Sequence, residues 1–105
     1  MAGIARLLSE TETAEMLIRL KDWKIANGKL HKEFRFKSFS DAMRFIRQVA
    51  EIAESSNHHP EIFNVYNFVS LDLSTHDAGG ITELDFAFAM RIDLLDMERQ
   101  TLDRK

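Results

Sequence analysis

The amino-acid sequence predicts an α+β fold, a two-layer sandwich in which three helices pack on one face of a four-stranded antiparallel sheet. Segments with apolar residues at every third or fourth position alternate with paired segments in which every second residue is apolar. Asn27-Gly28 lies within the first pair, and this dipeptide favours the tight turn of a hairpin. The predicted order is α-β-β-α-β-β-α. A chain of 105 residues provides one core, so we expect a single domain over residues 1–105.

The first half of the chain predicts a helix and a hairpin. Ser9 and Glu12 have capping-box spacing at the start of a helix over about residues 9–21. A strand with Trp23 and Ile25 leads into the turn, and the returning strand alternates between two faces. The apolar face is expected in the core and the polar face outside: Leu30, Phe34 and Phe36 against His31, Glu33 and Arg35.

The second half predicts a long helix followed by a second strand pair. Ser38 is a candidate N-cap for a helix over about 39–55, which must end before Pro60 because proline restricts the residue that precedes it. Two strands follow over 61–65 and 68–75. Alternate residues of the later strand are expected in the core: Val69, Leu71 and Leu73.

The last helix, predicted over about 83–97, is apolar around most of its circumference. Thr82 and Asp85 stand at its start with capping spacing. Its apolar residues cannot all face one sheet: Leu84, Phe86, Phe88, Met90, Ile92, Leu94 and Leu95. A helix of this kind is covered on two sides, and a domain of this size has one core to offer. We therefore expect a symmetric homo-oligomer whose interface includes the outward side of this helix.

Charge and cysteine content exclude several classes of function. The formal net charge is -3, so the chain lacks the basic footprint of a nucleic-acid-binding protein. The absence of cysteine excludes disulfides, thiolate metal sites and a thiol nucleophile. No segment approaches the ~20 apolar residues of a membrane span, and the start lacks the pattern of a signal peptide. We expect a cytoplasmic protein, with a nuclear location left open.

Three of the four histidines stand at predicted element ends, where functional residues concentrate. His58 and His59 precede Pro60, and His76 follows the last strand. Imidazole has an unperturbed pKa of about 6.5, so it gives and takes protons near neutral pH. Taken singly, each of these histidines is more often a surface or hydrogen-bonded residue than a catalyst. His31, in a strand interior, is expected at the sheet surface.

A zinc site is the main chemical alternative for these histidines. Adjacent residues in an extended chain point to opposite sides, so His58 and His59 do not readily share one metal ion. No cysteine and no His-Glu-x-x-His spacing are present. Asp85 suits a helix N-terminus as a capping group, whereas Glu54 is unfavourably placed at a helix C-terminus, which indicates a partner in a site. We expect neither metal nor cofactor.

Three runs of residues around these histidines resemble the signature of the pterin-4a-carbinolamine dehydratases. They are E-S-S-N-H-H-P-E from Glu54, Y-N-x-V from Tyr66 and L-S-T-H-D-x-G-G-x-T-x-x-D from Leu73. The similarity extends upstream to Trp23 and to the F-R-F-x-x-F run from Phe34, and it covers most of the chain. His-His-Pro alone is a weak signal, but its combination with T-H-x-x-G-G-x-T at this separation is specific.

The resemblance implies a hydro-lyase with the fold described above, assembled as dimers or dimers of dimers. Its substrate would be 4a-hydroxytetrahydrobiopterin, the product left by aromatic amino-acid hydroxylases. Loss of water would give a quinonoid dihydropterin within tetrahydrobiopterin recycling, without a metal or an organic cofactor. Two imidazoles in opposite protonation states suit this reaction, because the departing hydroxyl gains a proton while the neighbouring ring nitrogen loses one.

By motif position, the resemblance also implies a set of site residues. The implied catalytic residues are His58, His59 and His76. From the chemistry, we expect His58 and His76 to form the acid/base pair and His59 to orient the ring. The implied pterin contacts are Pro60, Thr75, Asp77 and Ala78. The implied supporting groups are Glu54, Asn57 and Asp85. Members of the family carry either Asp or Asn before the histidine pair. Asn57 therefore provides a hydrogen-bonding group rather than a base.

A non-enzymatic role within the same family stays open. Some relatives act as dimerisation cofactors for a homeodomain transcription factor and use a helical surface in place of the pterin site. The apolar last helix suits either such a partner or self-assembly. A further alternative is a family member whose pterin serves a reaction other than aromatic hydroxylation.

Overall fold

The computed structural model describes residues 5–103 and confirms the predicted architecture. Its helices are α1 (Glu10–Leu17), α2 (Phe39–Ser56) and α3 (Glu83–Asp103), and its strands are β1 (Lys24–Ala26), β2 (Lys29–Arg35), β3 (Glu61–Val65) and β4 (Phe68–Leu73). The strands pair antiparallel in the spatial order β1-β2-β4-β3. A turn of 3-10 helix over His76–Ala78 joins β4 to α3. The ends of the predicted domain, 1–4 and 104–105, lie outside the described residues.

The two central strands, β2 and β4, determine which side chains enter the core. Leu30 pairs with Leu73 and Phe34 with Val69, and all four side chains are buried. Buried apolar residues of α2 and α3 join the same cluster: Ala42, Phe45, Val49, Phe86, Ala89 and Ile92. The core residues predicted for both strands are therefore confirmed. No helix within residues 5–103 is long and apolar enough to cross a membrane.

Helix α1 is shorter than its predicted span of 9–21. It begins with the predicted capping box: Ser9 Oγ accepts from the Glu12 N–H at 3.1 Å, and Glu12 accepts from the Ser9 N–H at 3.0 Å. The helix ends at Leu17. Beyond it, the Arg19 N–H donates to the Met16 carbonyl and the Leu20 N–H donates to the Leu17 carbonyl, which is the tighter 3-10 hydrogen-bond pattern. The chain turns here because Trp23, which is buried, must enter the core.

Helix α3 is longer than predicted and runs to Asp103 rather than to residue 97. Asp96 is buried and accepts hydrogen bonds from Arg99 and Gln100. The Arg99 guanidinium lies 4.6 Å from the centroid of the Phe36 ring. The Asp96 hydrogen bonds lie within the helix, whereas the contact between Arg99 and Phe36 joins the additional turn to the segment that follows β2. Apolar periodicity does not record such a tertiary contact.

The apolar circumference of α3 has two different environments. Phe86, Phe88 and Ile92 are buried within the domain, so they do not belong to the outward side on which we expected self-assembly. They fit because the sheet and α2 enclose them on one broad side. The large apolar residues that stay exposed form what we call the α3 stripe: Leu84, Met90, Leu94 and Met97.

Candidate active site

The C-terminal end of α2 positions the histidine pair. After Ser56, Asn57 takes the left-handed conformation with φ 51 and ψ 43, which asparagine tolerates better than most residues. The His58 N–H then donates to the Ala53 carbonyl at 3.1 Å, and the Asn57 N–H donates to the Glu54 carbonyl at 3.4 Å. Asn57 therefore ends the helix through its backbone, and the chain carrying the two histidines leaves the helix axis here.

His58 faces a buried carboxylate. Its Nε2 lies 2.6 Å from Oδ1 of Asp85, in the first turn of α3. The Asp85 side chain is 0% exposed and that of His58 is 12% exposed. The Phe88 ring packs edge-on to the imidazole, with the ring centroids 5.9 Å apart. Because a buried carboxylate is unfavourable unless it is paired and hydrogen-bonded, this contact holds the imidazole in one orientation.

The second oxygen of Asp85 is also hydrogen-bonded. Asp85 Oδ2 accepts from the Thr75 hydroxyl at 2.9 Å and from the Thr82 backbone N–H at 2.9 Å. Thr82 directly precedes α3, so the carboxylate caps this helix as its spacing predicted. Asp85 therefore caps α3 with one oxygen and meets His58 with the other.

His59 has a different partner, on the α2 side. Its Nε2 lies 2.5 Å from Oε2 of Glu54, and both side chains are exposed. The two adjacent histidines thus meet different carboxylates, as expected for neighbours that point to opposite sides of the chain. Glu54, which is unfavourably placed at a helix end, has the local partner that its position indicated. Pro60, the next residue, is half-buried.

His76 lies in the 3-10 turn that follows β4. The Thr75 N–H donates to the Gly80 carbonyl at 2.7 Å and closes this turn. His76 and Asp77 are exposed, and within residues 5–103 no hydrogen-bond partner meets the His76 ring. The turn therefore leaves this imidazole accessible, while Thr75 links the turn to Asp85.

The structure brings together part of the predicted set. One cluster joins three of the residues by direct contact: His58, Thr75 and Asp85. A second contact joins two more: Glu54 and His59. Thr82 and Phe88 complete the first cluster, and neither was predicted as a site residue. The capping spacing was a usable signal for Thr82, whereas the position of Phe88 depends on how α3 packs against the end of α2.

The fourth histidine lies elsewhere, on the sheet face opposite the core. His31 Nδ1 is 2.8 Å from Asp72 Oδ1, and its Nε2 is 2.9 Å from Glu33 Oε2. The hydrogen bond to Glu33, reinforced by Asp72, raises the pKa of His31, and the same hydrogen bond lowers the pKa of Glu33. His31 is an ion-paired residue of the sheet surface, outside the candidate site.

The histidines and carboxylates of the site meet in pairs. Across the described part of the chain, residues 5–103, no three His, Asp or Glu side chains converge as ligands of a metal ion. Each imidazole of the pair meets a carboxylate of its own, which orients the ring. Independence from metal ions stays a prediction.

Sequence comparison with known proteins gives a consistent result. The family described as Pterin 4 alpha carbinolamine dehydratase matches residues 6–95. A relative from Solibacter usitatus that bears this family's name is 50% identical over 88 residues, which cover 84% of this chain and 93% of the relative. A relative from Sinorhizobium medicae with the same name is 52% identical over 88 residues, 82% of this chain and 84% of the relative.

Two solved structures share the fold. One, from Brucella melitensis, is described as a transcriptional coactivator/pterin dehydratase; it has a TM-score of 0.79 and 42% identity, covering 83% of this chain and 95% of that chain. The other is a pterin dehydratase-like protein described as a RuBisCO assembly factor in the alpha-carboxysome. It has a TM-score of 0.57 and 28% identity, and the match covers 70% of this chain and 84% of that chain. Proteins similar to this chain are thus described as dehydratases, as a coactivator and as an assembly factor.

Proposed function

The chain belongs to the pterin 4 alpha carbinolamine dehydratase family, and from that premise we propose that it is a hydro-lyase acting on 4a-hydroxytetrahydrobiopterin. Its product is a quinonoid dihydropterin, and the reaction serves tetrahydrobiopterin recycling. The observation that carries the proposal is the buried Asp85 carboxylate, 2.6 Å from the His58 imidazole. Such a carboxylate orients an imidazole that changes its protonation state during a reaction.

Dehydration of the carbinolamine moves two protons. The bond between C4a and the hydroxyl oxygen breaks, and a proton supplied by an acid converts the departing hydroxyl to water. A base removes the proton from N5, and the electron pair of that N–H bond becomes the second bond between N5 and C4a. One neutral and one protonated imidazole near neutral pH supply both functions.

We assign the two proton transfers to His58 and His76. Nε2 of His58 faces Asp85, so Nδ1 is the nitrogen left for the pterin. The His76 ring is exposed, and it stands on the turn that Thr75 links to the same Asp85. General acid and general base catalysis each contribute on the order of 10²–10⁴ in rate.

The other residues of the predicted set bind and orient the pterin in this proposal. His59, held by Glu54, orients the ring, and Asn57 supports that position through the left-handed end of α2. Four residues around the two histidine segments contact the substrate: Pro60, Thr75, Asp77 and Ala78. The Thr75 hydroxyl bonds to Asp85, so Thr75 also links the substrate contacts of the turn to the His58 cluster.

Acid/base catalysis by histidine predicts an activity that is independent of metal ions. We expect dialysis against a strong chelator to leave kcat unchanged, because two proton carriers suffice for the elimination. The measurement follows ultraviolet absorbance as freshly generated 4a-hydroxytetrahydropterin decays, with far-ultraviolet circular dichroism as the control for folding. Activity that is lost on dialysis and restored by zinc would overturn the assignment.

We also propose that the protein assembles with copies of itself, as a homodimer or homotetramer, through the α3 stripe. The four side chains of the stripe are between 48% and 62% exposed. Monomeric proteins rarely leave a large apolar patch in water, so we expect another copy to cover these side chains. A transcription-factor partner is the alternative occupant, because the similar protein from Brucella melitensis is described both as a coactivator and as a dehydratase.

A further inference from the structure

Two threonine hydroxyls lie behind the pair formed by Asp85 and His58. Thr75 and Thr82 are buried, and their hydroxyl oxygens lie 2.6 Å apart. Thr75 also donates to Asp85 Oδ2 at 2.9 Å, and the Leu84 N–H donates to Thr82 Oγ1 at 3.2 Å. These groups form a continuous hydrogen-bonded chain from the start of α3 to the His58 ring.

The number of available protons fixes the direction of donation along this series of hydrogen bonds. Each threonine hydroxyl has a single proton to donate. Thr75 donates its proton to Asp85, so the contact between the two hydroxyls is a donation from Thr82 to Thr75. Asp85 then accepts at Oδ2 from the Thr75 hydroxyl and the Thr82 amide. Its other oxygen lies 2.6 Å from His58 Nε2. Within the described residues no buried side-chain polar atom lacks a partner, and this assignment satisfies every group of the chain.

The charge of the Asp85 carboxylate determines the tautomer of His58. An aspartate is ordinarily ionised at neutral pH, and the two hydrogen bonds that Oδ2 accepts favour the charged form. The His58 ring must therefore present an N–H at Nε2 to Asp85. In the neutral ring the lone pair then lies at Nδ1, because a neutral imidazole carries one proton on its two nitrogens.

We propose that Thr75 and Thr82 are positioning residues: their hydroxyls hold the Asp85 carboxylate in place and so keep His58 as the Nε2–H tautomer, with Nδ1 exchanging protons with the pterin. The effect on rate rests on the proposed function, whereas the tautomer is a property of the free protein. The same hydrogen bonds connect Asp85 to the residue that precedes His76. Loss of either hydroxyl therefore affects both members of the acid/base pair.

Valine is the matched replacement, because it keeps the shape of threonine and removes the hydroxyl. We expect Thr82→Val to lower kcat about tenfold, the lower end of the cost of losing a group that orients a functional histidine. Thr82→Ser keeps the hydroxyl and is expected to restore kcat to nearly the wild-type value. Ser38→Ala is the control for lost capping: Ser38 accepts from the Asp41 N–H at 3.1 Å at the start of α2, far along the chain from this cluster.

Nitrogen NMR of histidine-labelled protein provides a readout that a capping defect alone does not move. At a pH where the ring is neutral, we expect wild-type His58 to be protonated at Nε2, and Thr82→Val to show both tautomers. Ser38→Ala should keep the wild-type pattern. If Thr82→Val does not fold, Thr75→Val removes the hydroxyl that bonds Asp85 directly and is interpreted in the same way.

Two results would overturn the inference: a wild-type His58 protonated at Nδ1, or a valine variant that folds and keeps the wild-type tautomer. The inference fails separately from the proposed function, because the tautomer is measured without substrate. The expected tautomers in a protein with no dehydratase activity would reject the function and support the positioning role.

Discussion

The two proposed proton carriers differ in how they are held. His58 is mostly buried, and Asp85 and Phe88 orient its ring before any ligand binds. His76 is exposed on a short turn, so its ring can adjust to a bound substrate. The pair therefore combines one preorganised imidazole, which needs no rearrangement during the reaction, with one that is oriented on binding.

We expect His58→Ala and His76→Ala each to lower kcat at least about tenfold, because each removes a proton-transfer group. His76→Ala should keep the wild-type Tm. His58→Ala should fold with a lower Tm, because it leaves the buried Asp85 carboxylate without one of its partners. Steady-state rates and thermal unfolding check both variants, with His31→Asn, on the opposite sheet face, as the control for the rates. Wild-type rates in both alanine variants would show that the assignment is wrong.

Residue types and motif positions could indicate three histidines as candidates for a site, but not which carboxylates they contact. Asp85 was predictable as a cap from its spacing to Thr82, and the structure adds its contact with His58. The contact depends on the approach of α3 to the end of α2, which is determined by packing between distant segments. The edge-on contact of Phe88 has the same origin, and no local pattern records it.

At the scale of single elements, the end of α2 depends on the backbone of Asn57. Its φ of 51 lies in a region that costs alanine about 1 kcal/mol. We expect Asn57→Ala to lower the free energy of unfolding by about that amount and to reduce kcat, because His58 follows directly. Asn57→Gly is the matched control, since glycine adopts this conformation freely. Chemical denaturation measures the free energy of unfolding of both variants, and steady-state assays measure their kcat. Equal stability and activity in Asn57→Ala and Asn57→Gly would contradict the prediction.

The sheet face opposite the core has a pH-dependent contribution to stability. Glu33 and Asp72 raise the pKa of His31 in the folded protein, whereas a histidine in an unfolded chain has a pKa of about 6.5. The stabilisation is therefore fully present below about pH 6.5 and is lost as the pH rises through the folded-state pKa. We expect His31→Asn to cost about 1 kcal/mol near pH 6, and clearly less near pH 9. Urea unfolding of the wild type and of His31→Asn at both pH values measures the difference in their free energies of unfolding. A difference that does not change with pH would refute the prediction.

Apolar periodicity could predict the type and order of every helix and strand, but not all of their ends. Helix α1 stops early because Trp23 enters the core and its indole N–H donates to Asp93 at 2.9 Å, 70 residues along the chain. Helix α3 continues because Arg99 reaches Phe36. Both ends follow from contacts between distant segments, which local sequence patterns do not contain.

For the whole molecule, the α3 stripe predicts a self-assembled species at micromolar concentration. We expect light scattering to give a mass of at least two chains. Met90→Glu places a charge in the stripe and should shift the protein to monomer or aggregate. Thr11→Glu adds the same charge at an exposed position of α1 and should leave the mass unchanged. Phe88→Glu should instead unfold the chain, because Phe88 is only 3% exposed. A wild-type mass of one chain would contradict self-assembly and favour a different partner for the stripe.

Dehydratase activity is tested most directly by the ultraviolet decay of freshly generated 4a-hydroxytetrahydrobiopterin, measured against its spontaneous dehydration. The double variant His58→Ala/His76→Ala is the matched control, because it keeps the rest of the site. We predict that substoichiometric wild-type protein accelerates the decay in proportion to its concentration, and that the double variant does not. A decay that stays at the spontaneous rate at every concentration of folded wild-type protein would contradict the proposed function.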